Sequence, residues 1–166
     1  VNSRSRIHFV NQQININLEK EVIDIIKSKD YLTYPEISVY YKIFELKKQD
    51  NTETYFLIKE DIRQNLSKLS SKDSIDILKE IINFCNLKSN MGLGQFINEA
   101  MEWYKFGLEH NLIFSEYNKF IPGYFLNIVL TGIRAKDFVW TERFILEYQN
   151  KIPKELKKDI VTFCYA

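Results

Sequence analysis

Residues 79–85 read KEIINFC, and residues 158–164 read KDIVTFC. Between them, residues 125–129 read FLNIV, a shorter relative of the same string. Each string sets apolar residues three and four apart, the spacing that lines one face of a helix. A helical face written repeatedly along one chain marks units that cannot bury that face alone and bury it by stacking. The strings therefore predict an all-α array of stacked helices.

Aligning outward from these strings defines the unit. Ile81, Phe125 and Ile160 fall together, as do Ile82, Leu126 and Val161, then Phe84, Ile128 and Phe163, then Cys85, Val129 and Cys164, at offsets of 44 and 35 residues. A further step back of 41 brings Tyr40, Tyr41, Ile43 and Phe44 onto the same places. A second set recurs independently: Ile58, Ala100 and Phe144; Ile62, Tyr104 and Tyr148; Leu66, Leu108 and Ile152, at offsets of 42 and 44. Two helices recurring in parallel make the unit a helix hairpin.

Breakers and caps place the elements. Val1 to Asn17 has no helical period, and Ile14, Ile16 and Leu18 alternate with Asn15 and Asn17, so residues 1–17 are expected to form an extended arm before a helical-repeat domain over 18–166. A first helix over Leu18–Lys29 sets Leu18, Val22, Ile25 and Ile26 on one face. Helices follow over Pro35–Lys48 and Thr52–Leu69, separated by the Asp50-Asn51 turn, with Pro35 in a first turn that requires no N–H from it. Ser70 and Ser71 cap a helix to about Lys88, Met91-Gly92-Leu93-Gly94 breaks it, and Gln95–Glu109 follows. A longer connection, Asn111–Ile121, leads to a helix from Pro122 to about Ala135. The Lys136-Asp137 turn then feeds a helix carrying Trp140, Phe144, Tyr148 and Ile152, and Pro153 separates it from a last helix opening at Lys154. A chain that starts at Val1 and stops at Tyr165-Ala166, within a helix, is expected to be a piece of a longer array.

Composition agrees with the pattern. Five Gly and three Pro among 166 residues are too few for a turn-rich all-β domain. A hydrophobic fraction of 45% supplies one core, since a chain of this size buries about 70% of its unfolded surface. A charged fraction of 27% with a formal net charge of +1 gives no global field to hold a polyanion, and no run approaches the roughly 18–20 apolar residues of a membrane span. Cys85 and Cys164 stand on helices expected to be layers apart, farther than the roughly 7 Å between Cα atoms that a disulfide tolerates, so both are read as reduced core thiols in a cytoplasmic protein.

The hairpins from Pro35 to Ala166 resemble the tetratricopeptide-like superfamily, in which helix pairs of about 34 residues stack. The resemblance implies a right-handed superhelix, a concave groove lined by the first helix of each pair, and a protein or peptide partner. Larger residues fill most of that family's small inter-helix positions, with Ala100 set against Ile58 and Phe144 in the alignment. The stretch from Phe125 to Pro153 also looks like a pentatricopeptide repeat, whose relatives read RNA bases. Asn83, Asn127 and Thr162 superpose where that family uses Asn, Thr or Ser, while Lys157 stands where its second reading residue would be Asp or Asn.

Helical steps put Asp76, Lys79, Glu80, Asn83 and Asn86 on one polar strip. On the groove reading, Lys79, Asn83, Asn127, Arg134, Lys158 and Thr162 form a ladder of donors for a peptide backbone or carboxylate. The same strip also reads as a solvated helix face. Most of the aromatic residues read as inter-helix packing, and Trp103, one step from the Phe96, Ala100 and Tyr104 stripe, is the candidate among them for an exposed contact.

No catalytic set emerges. His8 and His110 lack partners at metal-ligand spacing, and Gly92-Leu93-Gly94 follows a helix and has no Lys-Ser/Thr, so it reads as a helix terminator and not a phosphate loop. The expectation is a non-catalytic scaffold without cofactor or metal that binds a protein or peptide. An RNA-binding repeat protein and a helical accessory domain of a larger enzyme are the alternatives.

Overall fold

The computed structural model describes residues 20–115, 117–120 and 123–164. The expected arm over 1–17, and Leu18, His8 and Pro122 with it, lie outside these residues. Among the described residues the regular structure is helical, with no strand and one isolated bridge, Phe114 to Phe120. No helix among them is long and apolar enough to cross a membrane. The chain divides into two compact units, Val1–Leu69 and Ser70–Ala166.

In the first unit, a helix over 20–28 (α1) is followed by a 3₁₀ turn at Tyr31–Thr33, then α2 (Pro35–Gln49) and α3 (Thr52–Leu66). Pro35 opens α2 from its first turn, and Asp50 closes it with φ 49° while its N–H bonds Leu46 O. The next residue starts α3: Asn51 Oδ1 accepts the N–H of Glu53 at 2.8 Å. This two-residue turn lays α3 back on α2, burying Val39, Ile43 and Leu46 with Tyr55, Ile62 and Leu66. Each such side chain, fully buried, contributes about 1.5–3 kcal/mol. Lys42 pairs with Asp61 across the two helices. On α1 the expected apolar face stays open, with Val22 and Ile25 exposed and Ile26 half-buried.

The second unit contains α4 (Ser71–Asn90), α5 (Gln95–Glu109), α6 (Tyr124–Arg134), α7 (Phe138–Tyr148) and α8 (Lys154–Cys164). Ser70 caps α4 reciprocally, its Oγ accepting the N–H of Asp73 at 3.2 Å and donating to the Asp73 carboxylate at 2.6 Å. Three helices end alike. Leu93 N–H reaches Lys88 O and Gly92 N–H reaches Ser89 O, and the same pair of bonds recurs at Leu112 and Asn111 and at Asp137 and Lys136. The left-handed residue in each is Gly92, Asn111 or Lys136, and lysine is the costly choice there.

Close approach between helices rests on small residues. A Cβ at Gly107 would stand 2.8 Å from Leu78 Cδ2 and 2.9 Å from Ile113 Cγ2, so α5 meets α4 through a bare backbone. Gly132 plays the same part between α6 and α7, facing Thr141. Ala100 is fully buried.

The long connection after α5 is pinned by aromatic packing. Phe120, 3% exposed, meets the rings of Phe114, Phe125, Phe144 and Tyr148 at 4.9–6.1 Å. Its N–H bonds Lys151 O, and the Lys151 ammonium lies 4.0 Å from the Phe114 ring centre.

The positions matched in the internal alignment do not share one environment. Ile81 and Phe125 are buried, as are Cys85 and Val129, whereas on α8 Phe163 is 56% exposed and Cys164 is half-buried. α8 packs on α6 and on the 3₁₀ turn Gln149–Lys151, and none of its side chains is fully covered. In α2, Tyr40 is exposed where its counterpart Ile81 is buried. The expectation of two core thiols therefore holds for Cys85 alone; both cysteines are free thiols.

Candidate functional site

Three helices of the second unit frame a cleft of about 380 Å³. α4 contributes Ile75, Asp76, Lys79, Ile82, Asn83 and Asn86, α5 contributes Tyr104, and α6 contributes Tyr124 and Asn127. The α4 residues recur at steps of three and four, so a single helix face supplies the wall. The volume lies at the lower end of the roughly 300–1,000 Å³ typical of ligand sites.

Lys79, Asn83 and Asn127 come together here, with the two asparagines exposed on α4 and α6. The remaining predicted residues do not join them. Arg134 donates to Ser89 Oγ at 2.9 Å and Asn90 Oδ1 at 3.0 Å, which ties the end of α6 to the end of α4. Lys158 and Thr162 are exposed on α8 and do not line the cleft.

Trp103 is corrected outright: it is 2% exposed and packs edge-on against Phe106 at 5.7 Å. The reason is that α5 has neighbours on two sides, α4 and α6, so its buried arc takes in Ala100, Met101, Trp103, Tyr104, Phe106 and Gly107. One helical step from the stripe remains inside so wide an arc.

The floor carries two tyrosines that the ladder reading did not include. Their rings meet edge to face at 6.1 Å. Burial raises the Tyr104 phenol, while hydrogen bonds with Asn86 and Thr131 work in the opposite direction. Tyr124 differs, because its hydroxyl is buried with no hydrogen-bond partner among the described residues. Burial first, then the neighbouring Tyr104 and the Asp76 carboxylate, push its pKa up to about 12. It therefore remains a neutral hydroxyl at any physiological pH, able to donate and to accept. Gly123, at φ 87°, provides the turn that starts α6 at this residue. Its amphipathic neighbours gave a sequence signal for helix α6, but none for an unpaired hydroxyl.

A second, smaller cleft of about 210 Å³ lies between α5 and α7. There the Lys105 ammonium sits 4.9 Å from the Trp140 ring centre and pairs with Asp137 at 3.2 Å. Trp140, Phe144 and Tyr148 stack along α7 at 5.3 and 5.2 Å. Glu109, Arg143 and Glu147 also line this cleft and are exposed.

His110 is exposed at the end of α5, its ring 4.1 Å from Phe106. Among the described residues no three His, Cys, Asp or Glu side chains group as a metal site.

No protein-family model matches this chain, and comparison with curated proteins and with solved structures finds no match to either.

Proposed function

We propose that this protein is a non-catalytic helical-repeat scaffold that holds an extended segment of a partner protein in the cleft between α4, α5 and α6. On this reading the helix pairs are antiparallel hairpins of a right-handed array, and α4 and α6 are first helices that line its groove. The observation that carries the proposal is the convergence of Lys79, Asn83, Asn86 and Asn127 from two helices onto one cleft. Each carboxamide offers two N–H donors and a carbonyl acceptor, the complement of a peptide group. Ile75 and Ile82 add apolar surface beside them. A pre-built surface of this kind binds without making or breaking bonds, and its affinity comes from preorganisation.

The test is an array of terminally blocked peptides of random sequence, probed with the wild-type chain and with the Asn83→Ala, Asn127→Ala double variant. Both asparagines are exposed, so the double variant is expected to fold with stability within about 0.5 kcal/mol per site of wild type. Peptides retained by wild type and lost by the variant support the proposal. Equal retention removes the cleft from it, and salt-sensitive capture of single-stranded RNA in place of peptide would favour a nucleic-acid partner instead.

A further inference from the structure

We propose that Lys119, Lys151 and Lys157 form a second site, outside the cleft between α4, α5 and α6, that takes the phosphate of a phosphorylated side chain on a partner protein. The site does not depend on what the cleft holds.

Three ammonium groups from separate parts of the sequence gather where the long connection after α5 meets the Gln149–Lys151 turn and α8. Lys119 Nζ donates to Asn150 O at 2.8 Å, and Lys157 Nζ donates to Asn150 Oδ1 at 2.6 Å. Two bonds to one residue hold these charges within about 10 Å of each other, the screening length at 0.1 M salt, so each acts on the other. Lys151, next to Asn150, donates to Asn118 Oδ1 at 3.0 Å, and Asn118 in turn adjoins Lys119. Packing fixes the placement. Phe120 is buried beside Lys119 and its N–H bonds Lys151 O, while the Lys151 ammonium lies against the Phe114 and Tyr148 rings.

Every hydrogen-bond acceptor in this group is neutral. Lys42 and Lys105 find Asp61 and Asp137, yet among the described residues no carboxylate pairs with Lys119, Lys151 or Lys157. Glu147, four residues before Lys151, lines the cleft between α5 and α7 and is engaged by the Tyr148 hydroxyl. Glu155 and Asp159 stand two residues to either side of Lys157, a spacing that turns them to another face of α8. In a chain with 23 basic and 22 acidic residues, three cations gathered on neutral amides are not a consequence of composition. An anion relieves their mutual repulsion.

The group that fits is a phosphate monoester. Each ammonium has three N–H donors and spends one on an asparagine oxygen, leaving two apiece for a ligand. A phosphorylated side chain brings three acceptor oxygens and a charge of about −1.5 to −2, whereas a carboxylate brings two oxygens and a single charge. Nucleic acids and anionic bilayers spread single charges along a line or a plane and call for an extended basic face, which a net charge of +1 does not supply. The site is open. The three lysines are half-buried, but their hydrogen bonds lie at the surface beside the exposed Asn118 and Asn150, where an incoming group meets them.

The experiment titrates the full ¹⁵N-labelled chain with N-acetyl-O-phosphoserine N-methylamide, and with N-acetylglutamate N-methylamide as the carboxylate control. The phosphoserine probe is expected to move the backbone resonances of Lys119, Asn150, Lys151 and Lys157 saturably, and the glutamate probe to move them far less. Lys119→Gln with Lys157→Gln keeps a donor for Asn150 but removes two charges, and should weaken the phosphoserine probe by about tenfold or more. Lys119→Arg with Lys157→Arg keeps the charges and should retain most of the binding, which separates lost charge from lost fold. The Asn83→Ala, Asn127→Ala variant should bind the probe as wild type does; a matching loss there would place the probe in the cleft and overturn the proposal. So would the absence of a saturable shift at those four residues, an equal response to the glutamate probe, or unchanged binding by the glutamine variant. Capture by oligouridylate or by phosphatidylserine vesicles, lost in the glutamine variant and with no response to phosphoserine, would give the cluster to a nucleic acid or a membrane and overturn it as well.

Discussion

Gly132→Ala separates helix propensity from helix packing. Position 132 lies inside α6, where alanine is favoured over glycine by about 1 kcal/mol, so a reading of α6 in isolation expects the variant to be more stable. The structure predicts the opposite. The added Cβ would stand 3.2 Å from Thr141 Cβ and 3.4 Å from its Cγ2, with Oγ1 nearer still. Thr141 is 4% exposed and donates to Asp137 O at 2.7 Å, so it cannot turn away without losing that bond, worth about 1 kcal/mol. Overpacking of this kind costs about 1–3 kcal/mol. Setting these costs against the propensity gain leaves a net loss of about 2 kcal/mol, or roughly 4–8 °C in Tm for a chain of this length. Urea and thermal unfolding of wild type, Gly132→Ala, Thr141→Ala and the double variant would measure it. The double variant is expected to match or exceed Thr141→Ala, giving a coupling of about 2 kcal/mol. A Gly132→Ala chain more stable than wild type, or a cycle additive within about 0.5 kcal/mol, would refute the close approach of α6 and α7.

Other consequences follow from single sites. Trp103→Ala should lose about 3–5 kcal/mol in urea unfolding, the cost of emptying a full aromatic site, whereas Thr162→Ala on the exposed face of α8 should change stability by no more than about 0.5 kcal/mol. Lys136→Gly should stabilise by about 0.5–1 kcal/mol, because glycine relieves the φ of 59° that closes α6, and no gain would argue against that turn. The raised phenol of Tyr124 links stability to alkaline pH: its contribution is complete below the ordinary tyrosine value of 10.0 and is lost as pH rises through about 12, since the unfolded chain gives up its proton first. Urea midpoints measured from pH 9 to 12 should fall with pH, and fall less in Tyr124→Phe; identical slopes would show that Tyr124 is not buried as described.

Part of this could be read in one dimension. The Asp50-Asn51 and Lys136-Asp137 turns, the break at Gly92 and the cap at Ser70 act through a few adjacent residues, and each ends or starts a helix where the sequence predicts it. Asn83 and Asn127, aligned in sequence, face the same cleft. Trp103 illustrates the opposite case: periodicity shows which stripe of α5 is apolar but not how many helices cover it. Gly107 and Gly132 were equally silent, because a glycine inside a helical pattern does not reveal what approaches its missing side chain.

The amino-acid order alone determined that the chain is helical and where most of its helices turn, since propensity, capping and spacing act over one or two turns of backbone. Only the tertiary structure decided which polar residues meet. Packing brought Asn127 of α6 to Asn83 of α4, committed Arg134 to Ser89 and Asn90, left Lys158 and Thr162 outside the cleft, and enclosed the Tyr124 hydroxyl without a partner among the described residues. Those outcomes depend on distances between residues remote in sequence, and no local rule carries that information.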